Sequence, residues 1–340
     1  MPGITGQGTT YNLPNFTGEL LSLTPQDTPF LSSIGGLTGG VSANATLFSW
    51  QTYELRDAEE DRQRREGLDA PDPEARTRQT VRNVVEIHQE SLELSYTKQS
   101  AFGQVGATGS NNEFAQGLTG ESNPVVNEVD WQLRQHLIQI ARDVEWSFLR
   151  GEFNDPADNS PGEGPRRTRG LLEAIETNAI DADGEALSEN GGEVLLDLMQ
   201  DVWESGGIME NETATIMCAG TQKRHLTNAF ITQGNYRESS RTVGGVTVDT
   251  IMTDFGQLNV MLNRHLPSDT VVVASLEQCA PAFMPIAGKG HFFVEPLAKT
   301  GAADRFQLYG EIGLRYGNEL AHGKIEGLST SAPSGPGNGS

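Results

Sequence analysis

Two stretches of alternating apolar and polar residues, 45–57 and 76–97, flank a highly charged segment between Asp57 and Glu74. An alternation of period two is typical of β-strands that cover one face. The segment between them reads DAEEDRQRREGLDAPDPE, with eight acidic residues, three arginines and two prolines, so it has almost nothing to bury. The pattern predicts a two-stranded ribbon with a charged tip. Such a ribbon is marginal in water unless something covers it, so we expect it to reach a neighbouring molecule.

The second stretch changes its apolar parity near Gln89–Ser91. Val85 and Ile87 fall on one parity, whereas Leu92 and Leu94 fall on the other. A change of parity within one strand predicts a bulge or a bend at that point.

The strongest helical pattern runs over residues 124–150. Ser122-Asn123-Pro124 supplies a cap residue and a proline suited to a first helical turn, and Gly151 ends the pattern. A helix of about 27 residues is roughly 40 Å long and would form a structural spine. Its apolar face is predicted to contain Val126, Val129, Leu133, Leu137, Ile140, Ala141, Val144 and Phe148. The interleaved charges fall on the other faces, and we expect most of them to be solvated, namely Asp130, Arg134, Arg142, Asp143, Glu145 and Arg150.

The remaining segments read as an arm followed by alternating helices and strands. Residues 1–40 are rich in Gly, Thr, Pro and Asn, with a short helix before Gly35-Gly36. Further helices are predicted at Glu193–Trp203 and Thr221–Ile231, and strands at Thr213–Cys218, within Val246–Leu266 around a turn at Asp254–Gln257, and at Thr270–Ala274. Strict alternation over Arg305–Tyr316 predicts a long, half-buried antiparallel strand. The tail, 329–340, is low in complexity and expected to be disordered.

Composition narrows the class of protein. The chain has 340 residues, a net charge of −22, and no apolar run close to the roughly 20 residues that span a bilayer. We find no secretory signal in the first residues. The strong negative charge argues against direct binding of nucleic acid, whose phosphates would repel it. Cys218 and Cys279 lie in apolar surroundings, which favours buried free thiols made in a reducing compartment.

The sequence contains no constellation of residues typical of a catalytic site. The six histidines are scattered, and none lies at metal-ligand spacing from another histidine or a cysteine. Asp181–Glu185 resembles the start of a calcium loop but lacks the further ligands. For Asp155 and Asp158 an ordinary loop is favoured over a divalent-cation site. The sequence therefore predicts a protein that is not an enzyme and holds no cofactor.

The order of these elements carries a resemblance that extends to about Leu328. The segments that contribute are TPQDTPFLSSIG (24–35), the run from Phe48 to Glu54, VEWSFLRG (144–151) and VEPLAKTGAADRFQLYGEIGLRYGNELAHGKIEGL (294–328). In this order the chain resembles a major capsid protein of tailed double-stranded DNA bacteriophages, with the Hong Kong 97-like fold. No single segment is diagnostic, and their order and spacing together make the match.

The resemblance implies an α+β fold of several parts. These are an N-terminal arm (1–44), an extended β-hairpin loop (45–98), a peripheral domain (99–189) with its spine helix at 124–150, an axial α/β domain (190–278), further peripheral-domain strands (279–328) and a tail (329–340). It implies hexamers and pentamers that build an icosahedral shell around DNA that is enclosed but not specifically bound. The implied partners are the chain itself, a portal protein and a decoration protein, with no membrane. The implied localisation is the virion, after assembly in the host cytoplasm.

Two departures from the resemblance refine these expectations. The chain enters the arm directly at Met1, which favours a separate scaffolding protein over an internal scaffolding domain. Its first lysine is Lys98, beyond the ribbon tip, so we expect no lysine–asparagine crosslink between subunits and non-covalent contacts instead. The candidate contact residues are Trp50, Glu59, Glu60, Asp61, Arg62, Arg64 and Arg65. Since exposed ion pairs contribute only about 0–1 kcal/mol each, apolar burial must supply most of the assembly energy.

Two alternatives stay open from the sequence. An encapsulin, a nanocompartment shell protein, shares the fold but packages enzymes, and it typically begins with a helix rather than an arm. An acidic hydrolase or carbohydrate-binding protein with a long insertion at 45–98 would need paired carboxylates or metal ligands, which no spacing here suggests.

Overall fold

The two compact units of this chain interleave along the sequence. A computed structural model describes residues 24–56, 58, 60, 62–70, 72, 74–100, 128–156, 164–189, 192–209, 214–232, 241–243, 246–253 and 255–333. One unit comprises Met1–Gln26, Glu90–Ile138 and Val294–Gln307. The other comprises Asp27–Gln89, Gln139–Phe293 and Leu308–Ser340.

Helices and strands are mixed throughout the described residues, so the predicted α+β class is confirmed. The helices are α1 (Pro29–Ile34), α2 (Tyr96–Ser100), α3 (Glu128–Arg150), α4 (Leu171–Ala174), α5 (Glu193–Glu204) and α6 (Gly220–Thr232). The strands are β1 (Val41–Ser42), β2 (Leu47–Tyr53), β3 (Arg78–Val84), β4 (Glu86–Ser95), β5 (Ala179–Asp181), β6 (Ala214–Cys218), β7 (Arg241–Val243), β8 (Val246–Thr253), β9 (Gly256–Leu262), β10 (Val271–Ser275), β11 (Ala280–Phe283), β12 (Phe292–Pro296), β13 (Ala303–Arg315) and β14 (His322–Glu326).

These strands form three sheets. A seven-stranded sheet has the order β5-β14-β10-β6-β9-β8-β7, and a five-stranded sheet has the order β1-β11-β13-β12 with β4 also paired to β13. Among the described strands, β2 and β3 pair only with each other. Strands β6 and β10 are buried at every position and mostly apolar, as expected for strands at the centre of a sheet that is covered on both faces.

The main core of the larger unit lies against this sheet. Helix α5 buries Leu195, Leu198, Met199 and Val202 at i, i+3, i+4 and i+7, which is the spacing of one helical face. Strands β6, β10 and β14 add apolar side chains to the same cluster. The predicted helices at 193–203 and 221–231, and the predicted strands at 213–218 and 270–274, are therefore confirmed within a residue or two.

Polar contacts tie strands together in the smaller unit. The Lys299 ammonium lies 2.6 Å from a carboxylate oxygen of Asp304 and 3.0 Å from the Tyr96 hydroxyl. Hydrogen bonds to these two groups raise the pKa of Lys299. Arg305 pairs with Glu93 at 3.0 Å, so β13 and β4 are also joined by an ion pair.

Helix α3 confirms the predicted spine in its described part. It runs from Glu128 to Arg150, and the predicted start at 124–127 lies outside the described residues. Val144 and Phe148 are fully buried, as their spacing predicts. The prediction that Glu145 lies on a solvated face is wrong, because its side chain is fully buried.

Three further expectations differ from the structure. The change of parity expected at Gln89–Ser91 falls instead at Val85, where β3 ends before β4 begins and residues 83 to 86 are all buried. Strand β13 is half-buried only in its first part, because both faces are covered from Gly310 onward. The tail expected to be disordered from 329 is hydrogen-bonded at its start, since His225 Nε2 lies 2.7 Å from the Ser331 carbonyl oxygen. Residues 334–340 lie outside the described residues.

Candidate functional site

The predicted ribbon is present as the two-stranded sheet β2–β3. Its antiparallel register pairs Leu47 with Val84 at one end and Tyr53 with Arg78 at the other. Seven residue pairs at about 3.4 Å rise give a paired length of roughly 20 Å. Along β2 one face is exposed at every position, whereas the alternate side chains are half-buried, namely Phe48, Trp50 and Thr52.

Trp50 is a principal anchor of the ribbon to its own chain. Its indole N–H donates a 2.7 Å hydrogen bond to the carbonyl oxygen of Gly317. Its ring meets Tyr316 edge-on, with centroids 5.0 Å apart, and lies 5.8 Å from the ring of Phe48. The structure thus brings this candidate contact residue into an aromatic cluster at the ribbon base, where edge-to-face pairs add to simple burial.

Asn83 is a second anchor, and all four of its hydrogen-bonding positions are used. Its amide nitrogen donates to the carbonyl oxygens of Leu314 at 2.7 Å and Arg169 at 3.1 Å. Its amide oxygen accepts from the backbone N–H groups of Val84 at 2.9 Å and Arg169 at 2.8 Å. Because the side chain is fully buried, each of these bonds satisfies a group that water cannot reach.

Glu86 extends this anchorage just past the ribbon. One carboxylate oxygen accepts from the backbone N–H of Thr168 at 3.0 Å, and the other lies 2.8 Å from His88 Nε2. The Thr168 hydroxyl in turn accepts from the backbone N–H of Leu314 at 3.1 Å. The segment at 168–169 therefore bonds to both β3–β4 and β13 and fixes where the ribbon leaves the subunit body.

At its outer end the ribbon is closed by the carboxylate of Glu74. Arg62 and Arg76 each donate to it at 3.0 Å, and Arg56 lies 3.9 Å away. The hydrogen bonds from Arg62 and Arg76 lower the pKa of Glu74. Arg62, a predicted neighbour contact, therefore belongs to a cluster within its own chain.

The other candidate residues of the tip lie in solvent where they are described. The side chains of Glu60, Arg64 and Arg65 are exposed, whereas Glu59 and Asp61 lie outside the described residues. The tip turns at Gly67, whose φ of +83° suits glycine, and the next residue, Leu68, is 61% exposed. An apolar side chain is thus presented at the end of a charged arm.

A groove of about 370 Å³ lies beside the ribbon base. Strand β1, at the edge of the five-stranded sheet, forms one side, and the start of β2 forms another. Its principal lining side chains are Val41, Leu47, Phe48, Trp50, Ala282 and Arg315.

The buried carboxylate of Glu145 joins the spine helix to α1. It accepts hydrogen bonds from the backbone N–H groups of Phe30 at 3.0 Å and Leu31 at 2.6 Å, and from the Asn263 side chain at 2.5 Å. Burial raises the pKa of Glu145 to about 7, although the bonds from Leu31, Phe30 and Asn263 oppose the rise. Its role is to hold the short helix against the spine.

The described residues also bear on metal binding and on membrane insertion. Across the residues described, no group of three or more His, Cys, Asp or Glu side chains could hold a metal ion. Asp181 accepts from the backbone N–H of Asp183 at 3.0 Å, which forms a tight turn in the segment that resembles a calcium loop. Within those same residues, no helix is both long and apolar enough to cross a bilayer.

Sequence reasoning missed Asn83, Glu86 and Glu145. Asn83 and Glu86 flank the apolar pair Val84 and Val85, and a polar residue at such a position indicates a buried side chain with hydrogen-bond partners. For Glu145 the available signal is its place between Val144 and Phe148 on the apolar face.

Comparisons with known proteins agree with this architecture. The profile of a family described as SU10 major capsid protein matches residues 3–329. The major capsid protein of Escherichia phage Phieco32 is 23% identical over 361 residues, which cover 92% of this chain and 93% of that protein.

Solved structures of low identity share the fold. The capsid of cyanophage A-1(L) matches with a TM-score of 0.58 at 10% identity, over 93% of this chain and 97% of that one. The SrpI encapsulin complex of Synechococcus elongatus PCC 7942 matches with a TM-score of 0.57 at 10% identity, over 95% of both chains. At such identities the likeness concerns the fold alone, so the second match says nothing about cargo.

Proposed function

Since the chain belongs to the SU10 major capsid protein family, we propose that its β2–β3 ribbon is the element with which one subunit holds another in the shell. The protein is a phage major capsid protein with the Hong Kong 97-like fold, a structural component of the virion that forms an icosahedral shell and is not an enzyme. We further propose that subunits group as hexamers and pentamers and are held by non-covalent contacts.

The observation that carries this proposal is how the ribbon is anchored. Trp50, Asn83 and Glu86 fix its base by buried or half-buried hydrogen bonds within the chain. Its outer part, from residue 54 to residue 80, is exposed at every described position. A ribbon that is fixed at its base and exposed along its outer part is expected to be stabilised by contact with another molecule.

The remaining partners belong to the same proposal. A separate scaffolding protein would guide assembly, a portal protein would occupy one vertex, and a decoration protein would bind outside. The packaged DNA would be enclosed without specific contacts, because a chain of net charge −22 repels phosphate. Assembly would take place in the host cytoplasm. The division into arm, extended loop, peripheral and axial domains at the boundaries given above is proposed with it.

Deleting residues 58–74 tests the proposal. Joining Asp57 to Ala75 through Asn-Gly keeps a turn suited to a two-stranded ribbon. We expect a subunit with unchanged circular dichroism and cooperative unfolding that forms no shells by sedimentation and electron microscopy, when co-expressed with the neighbouring phage genes. Removing residues 334–340 is the control and should leave assembly intact. Normal shells from the ribbon deletion would show that the ribbon does not join subunits.

A further inference from the structure

The groove beside the ribbon base contains a cation, Arg315, that is paired with no carboxylate among the described residues. Arg315 lines it and is half-buried, yet no hydrogen bond or ion pair to its guanidinium is present among the residues that the structure describes. The chain has 46 acidic residues against 24 basic ones, so an unpaired arginine is unexpected here. Apolar side chains of Phe48 and Leu47 form the adjoining wall. This combination suits an apolar group that carries a carboxylate beside it.

The ribbon tip has the complementary chemistry. Leu68 is 61% exposed, and Glu66 and Asp69 on either side of it are exposed as well. In the described part of the chain neither carboxylate has an ion pair. A turn with Gly67 at φ +83° holds Leu68 outward between the two charges.

A subunit cannot bring its own tip to its own groove. Trp50 and Leu47 line the groove, and the strand that contains them stays paired with β3 as far as Tyr53. The ion pair between Glu74 and Arg56 holds the two segments together still further from the base. The paired strands alone span roughly 20 Å away from the base, so a ribbon tip that occupies the groove must come from another copy.

We propose that the groove of one copy receives the ribbon tip of a second copy, with Leu68 against its apolar wall and a flanking carboxylate paired with Arg315. This inference rests on the proposed role of the ribbon and names its receiving surface. Because groove and tip are different surfaces of one chain, the contact is head-to-tail. Head-to-tail contacts close into rings when the rotation between copies allows it, as the grouping of subunits in a shell requires.

Charge exchange tests the pairing. Arg315→Glu should lower the yield of shells at least tenfold, and adding Glu66→Arg and Asp69→Arg in the same chain should restore most of it. The matched control is Arg224→Glu, an exposed arginine on α6, which should assemble normally. Normal assembly of Arg315→Glu, or failure of a folded triple variant to recover, would overturn the pairing.

Cysteine crosslinking tests the contact without removing the arginine. The chain suits it because its own Cys218 and Cys279 are buried. Shells of a Leu47→Cys, Leu68→Cys variant treated with a short bismaleimide should give covalent dimers and longer ladders. A Leu68→Cys, Leu262→Cys variant should not, although Leu262 is 51% exposed.

The outcomes separate the two levels of the proposal. If the 58–74 deletion abolishes shells but no ladder forms, the ribbon joins subunits elsewhere and this groove is excluded. If the deletion assembles normally, the role of the ribbon itself fails.

Discussion

The side-chain nitrogen of Asn83 lies 2.7 Å from the carbonyl oxygen of Leu314, which joins the ribbon to β13 across 231 positions of sequence. Asn83→Ala would leave four backbone groups without this hydrogen-bonding partner, two of them in buried and two in partly buried bonds. We expect the free energy of unfolding of the unassembled subunit to fall by about 3 kcal/mol, measured by urea denaturation.

Gln79→Ala, at an exposed position of the same strand, is the control for Asn83→Ala and should change stability by less than about 0.5 kcal/mol. Equal effects of the two substitutions would contradict the role given to Asn83.

Glu145 predicts a pH dependence of stability. Its folded pKa of about 7 exceeds the ordinary value of 4.5, so the folded chain binds this proton more tightly than the unfolded chain does. The stabilisation is therefore complete below about pH 4.5 and is lost as the pH rises through 7. Relative to Glu145→Gln, the wild type should lose about 3 kcal/mol between pH 4.5 and pH 8. A difference between the two proteins that does not change with pH would refute this.

Gly313 predicts a steric effect at the ribbon base. A Cβ atom there would lie 2.5 Å from the Val84 carbonyl oxygen and 2.9 Å from the Phe48 ring. Gly313→Ala should therefore cost about 1–3 kcal/mol, because the ribbon must shift. Gly220→Ala is the matched control, since nothing lies within 4 Å of its added Cβ. Thermal denaturation should separate the two variants by several degrees.

Val144→Asp tests the register of the spine helix. Val144 is fully buried, so aspartate would place an unpaired charge in the core at a cost above about 3 kcal/mol. We expect insoluble or unfolded protein. Arg134→Asp, at an exposed position of the same helix, should remain soluble. A soluble, assembling Val144→Asp subunit would mean that the helix faces the core differently.

The two cysteines should be chemically silent in the folded subunit. Burial raises the pKa of both Cys218 and Cys279 to about 12, and the thiolate is the form that reacts. With a thiol reagent such as dithionitrobenzoate, native protein should release almost no colour at pH 8. Protein in concentrated urea should react at both thiols. Rapid reaction of native protein would be incompatible with this burial.

Local pattern was enough to predict much of this fold. The alternation in 45–57 and 76–84 predicts the paired ribbon, and the 3.6-residue spacing that ends at Gly151 predicts the spine helix. These features rest on neighbours in sequence, which is where periodicity carries information.

Contacts between distant segments were not predictable in this way. Asn83 bonds to residues 86 and 231 positions away, and Glu145 bonds to residues 114 to 118 positions away. Glu145 was predicted to face solvent, because no local pattern in the sequence indicates that its hydrogen-bond donors lie in such distant segments. Likewise, the change of parity was predicted at 89–91 because Glu86 is charged and was not counted among the buried residues. In the structure Glu86 is buried and accepts a hydrogen bond from Thr168, which moves the change to Val85.

The alternation of side chains along β2 and β3 limits how the length of the ribbon can change in evolution. One extra residue pair between Trp50 and the tip would turn every later side chain to the opposite face, relative to the anchored base. Two extra pairs would preserve the faces and move the tip outward by about 7 Å. Functional relatives should therefore differ in arm length by even numbers of paired residues in each strand, and the reach of a subunit should vary in steps rather than continuously.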